Sequence, residues 1–146
     1  MIREYQRAVL STYFEQEIPS TYEAMSQVLD GGVNALVNNC NIPPDKRAVA
    51  RLCLEEALVN AIRHGNELDE QRKVRLSITG NDESCIIRIH DEGAGFSLGN
   101  INMPDCDQEG GRGLCLIKHY MDEVNYNPTE GFLEMRFKKD LFCKGC

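Results

Sequence analysis

Residues 49–66, VARLCLEEALVNAIRHGN, contain the clearest pattern in this chain. At about 100° per residue, their pattern is typical of a helix. A row of apolar side chains predicts one buried side: Leu54, Leu58 and Ile62. The opposite stripe includes Glu56 and Asn60, which lie one helical turn apart and project together. A polar group in an interior helix costs about 1–3 kcal/mol, and a charge more, unless it is satisfied. We therefore expect a polar partner over this turn.

Composition restricts the class of protein. A chain of 146 residues, 42% hydrophobic and 27% charged, suits one soluble globular domain. The net charge of −7 argues against general nucleic-acid binding, which needs a basic face. No apolar run indicates a signal peptide, and none approaches the roughly 18 residues of a membrane span. Seven cysteines without an export signal indicate reduced thiols and a cytoplasmic location.

The flanking stretches alternate between strand and helix patterns. Residues 12–18 predict a strand that ends at Pro19, and residues 22–38 predict a helix with Ser20 or Thr21 as its N-cap. The central helix is expected to begin at Pro43-Pro44-Asp45 and to end at Gly65. Residues 114–121 predict a further, short helix. Four alternating stretches predict two antiparallel hairpins: 74–79 with 85–91, and 123–126 with 132–137.

A long glycine-rich segment follows the first hairpin. Asp91 shares a strand face with Ile87 and Ile89, so a second carboxylate is expected to point inward. Residues 91–113, DEGAGFSLGNINMPDCDQEGGRG, then lose periodicity. A loop of about 20 residues in a compact domain is usually functional and often a lid. This segment ends with glycines at the start of the short helix.

These separate signals fit one ligand. A glycine-rich helix N-terminus favours phosphate, because its free N–H groups and the helix dipole attract anions. Asn60 offers a neutral oxygen to Mg²⁺, which takes its other ligands from phosphates and water. Asp91, an acceptor when ionised, suits the amino group of adenine. Glu56 suits the removal of a proton from a hydroxyl or water. Together these groups predict an ATP–Mg²⁺ site.

Other readings of single residues stay open or fail. Glu56 and Asn60 alone could be satisfied by neighbouring backbone, and Arg112 could contact phosphate or solvent equally well. His64 fits a structural role better than a catalytic one. Gly93-Ala-Gly95 lacks the third glycine of a dinucleotide fingerprint, which excludes a Rossmann site. The terminal CKGC offers two zinc ligands where a structural site needs four.

Three motifs carry a family resemblance. Glu56-x-x-x-Asn60, Asp91-Glu-Gly-Ala-Gly-Phe and Gly111-Arg-Gly-Leu114 resemble the N, G1 and G2 boxes of the GHKL ATPases. The longer stretches around the first and last boxes, EALVNAIRHGN and GRGLCLIKHYMDEV, are similar in sequence to the bacterial anti-sigma-factor serine/threonine kinases. The resemblance covers residues 12–138, and all three boxes occur in the order and spacing of that family.

The resemblance implies a fold and a role for each box. It implies an α+β, two-layer α/β sandwich of the Bergerat type, in which helices cover one face of a mixed, mostly antiparallel sheet. Residues 12–138 would form one ATP-binding domain, and residues 139–146 a flexible tail. Glu56 would be the general base, Asn60 the Mg²⁺ ligand and Asp91 the residue that reads adenine. The glycine boxes would surround the nucleotide: Gly93, Gly95, Gly110, Gly111, Arg112, Gly113 and Leu114.

The same resemblance implies an activity and partners. Such kinases phosphorylate a serine or threonine of a STAS-domain anti-sigma-factor antagonist, and many sequester a sigma factor. Members often form homodimers, and no direct contact with nucleic acid or membrane is expected. Two alternatives remain: a non-catalytic module in which ATP gates the binding of a transcription or signalling partner, and a stand-alone histidine-kinase-like ATPase domain.

Overall fold

The computed structural model describes residues 10–93, 112–140 and 142. In these ranges five antiparallel strands form one sheet in the order β1-β2-β3-β5-β4, and three α-helices accompany it. The strands are β1 Ser11–Pro19, β2 Lys73–Gly80, β3 Ser84–His90, β4 Glu123–Asn127 and β5 Phe132–Lys138. The helices are α1 Tyr22–Asn39, α2 Arg47–Val59 and α3 Arg112–Tyr120. The predicted α+β fold is confirmed.

The strand periodicity sets which sheet face meets the helices. Val74, Leu76 and Ile78 of β2 are fully or almost fully buried and alternate with more exposed residues. On β3, Ile87 pairs with Ile78, and Ile89 pairs with Leu76, so the same face continues across the hairpin. The helices pack on this face and share one hydrophobic core with it. Both hairpins form where the alternation predicted them.

The first helix begins where its capping chemistry places it. The Thr21 hydroxyl accepts a hydrogen bond from the Ala24 amide at 3.1 Å, so Thr21, and not Ser20, is the N-cap of α1. Gly32 lies where α1 packs against both α2 and the sheet. A Cβ on Gly32 would lie 2.8 Å from Leu54 Cδ2 and 3.0 Å from Leu76 Cδ2. The glycine therefore permits close packing that compensates for its low helix propensity.

The central stretch is not one continuous α-helix. A short 3₁₀ turn, Pro44–Lys46, leads into α2, and the chain then widens into a π-helical turn, Asn60–Gly65. The Asn66 amide donates to the Ala61 carbonyl at 2.8 Å and closes this π-turn. π-helical turns are rare and occur frequently at functional sites. The turn begins at a predicted site residue, Asn60, and ends at Gly65, beside another, Asp91.

One pair of cysteines differs from the expectation of reduced thiols, whereas the buried Cys53 is free. Cys40, the C-cap of α1, forms a disulfide with Cys85 at the start of β3, with the Cα atoms 5.9 Å apart. Both residues are fully buried where α1 meets the sheet. Spacing along the chain gave no signal for this pair, because 45 positions separate the two residues. The disulfide adds a covalent link between the helix layer and the sheet.

The segment after β5 also departs from expectation at one residue. Phe142, placed by the sequence in a flexible tail, is 2% exposed and packs edge-on against Phe137, with ring centroids 5.0 Å apart. Its carbonyl accepts a hydrogen bond from Lys46 Nζ at 3.2 Å. The chain thus remains anchored to the core at this point.

Across the described ranges, no helix combines the length and apolar character that crossing a membrane requires.

Candidate functional site

The end of α2 and the start of α3 enclose a cavity of about 180 Å³. Glu56 and Asn60 line it from one side, and Gly113 and Leu114 from the other. The first and last predicted boxes thus meet, although more than 50 residues separate them in sequence. Pockets for drug-sized ligands measure about 300–1,000 Å³, so this cavity suits one end of a nucleotide and not the whole molecule.

Glu56 lies directly against the first turn of α3. A Cβ on Gly113 would overlap Glu56 Oε2 and would lie 3.1 Å from its Cδ. The N-terminal end of a helix attracts negative charge, through its dipole and its free N–H groups. The carboxylate and any bound phosphate would therefore share this electropositive end. Only a glycine leaves room for the carboxylate here.

Substitution of Gly113 tests this close approach. We expect Gly113→Ala to weaken Mg-ADP binding at least tenfold, because the added methyl group would overlap Glu56 and move the helix start whose free amides face the phosphates. The fold should persist, since alanine favours helix more than glycine does. Calorimetric titration of both proteins with Mg-ADP measures the effect. Lys118→Ala, an exposed position of the same helix, is the matched control. Wild-type affinity in Gly113→Ala would contradict the assigned contact.

Asp91 lies just beyond β3 and is half-buried. Its own amide donates to the Gly131 carbonyl at 3.0 Å, and its carboxylate accepts the Gly93 amide at 2.9 Å. Burial raises the pKa of the Asp91 carboxyl above its ordinary value, and the bond from Gly93 partly opposes this rise. Within the described part of the chain, no second donor contacts the carboxylate. It therefore keeps acceptor capacity for a ligand.

Two glycines make room for Asp91. A Cβ on Gly65 would lie 2.5 Å from Asp91 Oδ2, and a Cβ on Gly93 would overlap the Gly65 carbonyl oxygen. Neither position has space for a side chain. The charge of Asp91, second to burial, also raises the pKa of Tyr126 on β4.

The structure connects the predicted site residues without placing all of them in one cavity. Asp91 does not line the cavity that holds Glu56 and Asn60. It lies at the other end of the π-turn, which runs from Asn60 to Gly65. Three predicted residues lie outside the described ranges: Gly95, Gly110 and Gly111. Arg112 begins α3, but its side chain also lies outside the description.

The cavity includes residues that the sequence did not assign to the site. Val59, Arg63 and His64 line it together with the predicted groups. His64, to which the sequence gave a structural role, is exposed at the cavity. The available signal was helical spacing, because His64 follows Asn60 by four residues and Glu56 by eight. Asn66, fully buried beyond the π-turn, was also missed.

The donor set at the cavity fits Mg²⁺ that arrives with a triphosphate. The Asn60 amide oxygen supplies one neutral ligand, and Mg²⁺ usually takes only one or two ligands from protein when phosphates supply others. Among the described residues, no group of three or more His, Cys, Asp or Glu side chains could hold a metal ion.

The nearby Cys53 thiol has a pKa raised to about 12, by burial and then by the charge of Glu56, so the thiol stays protonated.

Comparison with known proteins identifies the class to which this fold and site belong. The histidine kinase-like ATPase domain family matches residues 18–137, and the chain belongs to this family. The expected GHKL membership and the Bergerat-type α+β fold are confirmed.

The relatives within the class are more specific. Serine-protein kinase RsbW of Oceanobacillus iheyensis is 25% identical over 138 residues, 86% of this chain and 85% of that protein. Anti-sigma F factor of Bacillus subtilis is 29% identical over 91 residues, 58% of this chain and 62% of that protein. Serine/threonine-protein kinase BtrW of Bordetella bronchiseptica is 27% identical over 92 residues, and the match spans 59% of this chain and 65% of that protein. These names support the predicted likeness to anti-sigma-factor kinases.

Proposed function

We propose that this chain is an ATP-dependent serine/threonine protein kinase of the anti-sigma-factor type. The observation that carries the proposal is the cavity where the Glu56 carboxylate and the Asn60 amide face the start of α3 at Gly113. A general base, a neutral oxygen ligand and a phosphate-binding helix end can position and stabilise the groups of a phosphoryl transfer. Membership of an ATPase family supports ATP as the donor.

Each group has a defined part in the reaction. Glu56 takes the proton from the acceptor hydroxyl while the hydroxyl oxygen forms a bond to the γ-phosphorus of ATP. The bond between the γ-phosphorus and the β–γ bridging oxygen breaks at the same time, and ADP is released. The free amides of α3 hold phosphate oxygens. Asn60 would hold Mg²⁺, which neutralises phosphate charge when it is bound. The Asp91 carboxylate accepts a hydrogen bond from the amino group of adenine and thereby fixes the nucleotide in the site.

The proposed substrate is a STAS-domain anti-sigma-factor antagonist, and the second proposed partner is a sigma factor. The names of the relatives support this pairing, because they include serine kinases and anti-sigma F factors. The net charge of −7 favours action through protein partners instead of direct contact with nucleic acid. We further propose that residues 12–138 form the kinase domain, that it acts in the cytoplasm and that it forms a homodimer.

Phosphate transfer to the cognate antagonist tests this proposal. We expect the chain, Mg²⁺ and labelled ATP to place one phosphate on a serine or threonine of the antagonist, as measured by mass spectrometry. Omission of Mg²⁺ or replacement of ATP by ADP is the control. Absence of transfer to a folded antagonist that binds the chain would contradict kinase activity.

A further inference from the structure

A small polar network crosses the otherwise apolar interior. Among the described residues, two polar side chains are buried: Ser20, 1% exposed, and Asn66, fully buried. Asn66 Nδ2 donates to Ser20 Oγ at 2.8 Å, and Ser20 Oγ donates to the Arg72 carbonyl at 2.6 Å. Buried polar groups are costly unless their hydrogen bonds are made. These bonds therefore define where the joined segments lie.

Asn66 connects the end of the π-turn to three other segments. Besides Ser20, its Nδ2 donates to the Lys73 carbonyl at 2.9 Å, which fixes the start of β2. Its Oδ1 accepts the Glu92 amide at 2.7 Å, which fixes the segment after β3. Both ends of the Asn66 side chain are thus satisfied. The two ends bind different segments: Nδ2 bonds to Ser20 and Lys73, whereas Oδ1 bonds to Glu92, next to Asp91.

The bond to Glu92 controls the backbone on one side of Asp91. The Asp91 amide is held by the Gly131 carbonyl, and the next amide, that of Glu92, is held by Asn66. The Glu92 side chain adds a further tie, because its Oε2 accepts the Lys73 amide at 2.8 Å. Two consecutive amides are therefore fixed at Asp91, whose carboxylate itself receives only the Gly93 amide. The direction of the carboxylate thus depends on the position of its backbone.

We propose that Asn66 is a positioning residue for purine recognition: its side-chain oxygen holds the Glu92 amide and thereby keeps the Asp91 carboxylate directed at the amino group of the base. This inference rests on the proposed ATP site. Asn66 does not contact the nucleotide. It acts through the backbone of residues 91–93, and its Nδ2 bonds anchor it to the core.

Two alanine variants separate positioning from general stability. Asn66→Ala removes the bond to Glu92, whereas Ser20→Ala breaks the same network at its other end and leaves that bond intact. We expect Asn66→Ala to bind Mg-ADP at least tenfold more weakly in calorimetric titration. We expect its loss for Mg-GDP to be smaller, so that its preference for adenine shrinks. Ser20→Ala should lower thermal stability but keep Mg-ADP affinity within about twofold, since Asp91 stays positioned.

The outcomes distinguish this inference from the proposed function. A wild-type chain that binds neither nucleotide would overturn both. If wild type binds Mg-ADP and Asn66→Ala binds it equally well, the inference alone is overturned. The same conclusion follows if Ser20→Ala weakens Mg-ADP binding as much as Asn66→Ala does, because the network would then act through stability.

Amide hydrogen exchange on the wild type does not depend on any variant folding. We expect the Glu92 amide to be protected before nucleotide is added, because Asn66 already holds it, although Glu92 is exposed. Rapid exchange of this amide that becomes slow only with Mg-ADP would overturn the inference. Protection in both states supports it.

Discussion

We expect Glu56→Gln to lower the rate of phosphate transfer at least a hundredfold below that of wild type, while Mg-ADP affinity stays within about threefold. Glutamine keeps the size of the side chain beside Gly113, but it cannot take a proton from the acceptor hydroxyl. Loss of a general base typically lowers rates by about 10²–10⁴. Single-turnover transfer to the antagonist measures the rate, and calorimetry measures the affinity.

Glu55→Gln is the matched control for this prediction. Glu55 precedes Glu56 on α2 but does not line the cavity. Its substitution should leave the transfer rate near that of wild type. Equal rates for Glu56→Gln and wild type would exclude Glu56 as the base. If neither wild type nor Glu56→Gln transfers phosphate, but both bind a partner only when ATP is present, a non-catalytic ATP-gated module describes the chain better.

We expect Asp91→Asn to weaken nucleotide binding without harming the fold. The amide places a donor where the amino group of adenine needs an acceptor, so a charge-assisted hydrogen bond worth about 1.5–3 kcal/mol is lost. That range corresponds to a fall in affinity of roughly 10- to 150-fold. Thermal unfolding at pH 7 with and without Mg-ADP measures it, because a ligand that binds only the folded chain raises its stability.

The shifted pKa of Asp91 makes this result distinctive. Because burial raises the carboxyl pKa in the folded chain, the folded state binds the proton more readily than the unfolded state. The carboxyl contribution to stability therefore falls as the pH rises from below its ordinary pKa of 3.8 to above the raised one. At pH 7 the charged carboxylate is a cost, so Asp91→Asn should be at least as stable as wild type. In the wild type, Mg-ADP affinity should fall as the pH drops through the raised pKa.

A surface carboxylate provides the control for Asp91. Asp82 is exposed in the turn between β2 and β3, at the opposite end of the hairpin. Asp82→Asn should bind Mg-ADP as wild type does at pH 7 and show the same decline at lower pH. A stable Asp91→Asn protein that is stabilised by Mg-ADP as strongly as wild type would contradict the role of Asp91 in the site.

Local patterns predicted much of the architecture. The alternation in residues 74–79 and 85–91 gave the central hairpin almost to its observed limits, Lys73–Gly80 and Ser84–His90. Helical spacing predicted α1 to within one residue of its observed end at Asn39. These features follow from short-range rules, because burial of one face and the turn residues between elements are both visible within about ten residues.

The candidate site was predictable only in part. Polar residues on an apolar helix and glycines at a helix start pointed to Glu56, Asn60 and Gly113, which the structure brings to one cavity. The π-turn was not predictable, because helical periodicity does not distinguish it from a continuing α-helix. The disulfide between Cys40 and Cys85 was likewise invisible, since pairing depends on which surfaces meet.

The sequence by itself was enough to predict the succession of strands and helices along the chain, their buried faces and the family. These features depend on periodicity and on short motifs. The hydrogen-bond partners of Asn66 follow only from the tertiary structure. Its partners Ser20 and Glu92 lie 46 and 26 positions away in sequence. A buried amide needs partners, but the sequence does not state which distant segment supplies them. The closure of the sheet and helix layer makes that choice, since it alone brings these groups within hydrogen-bond distance.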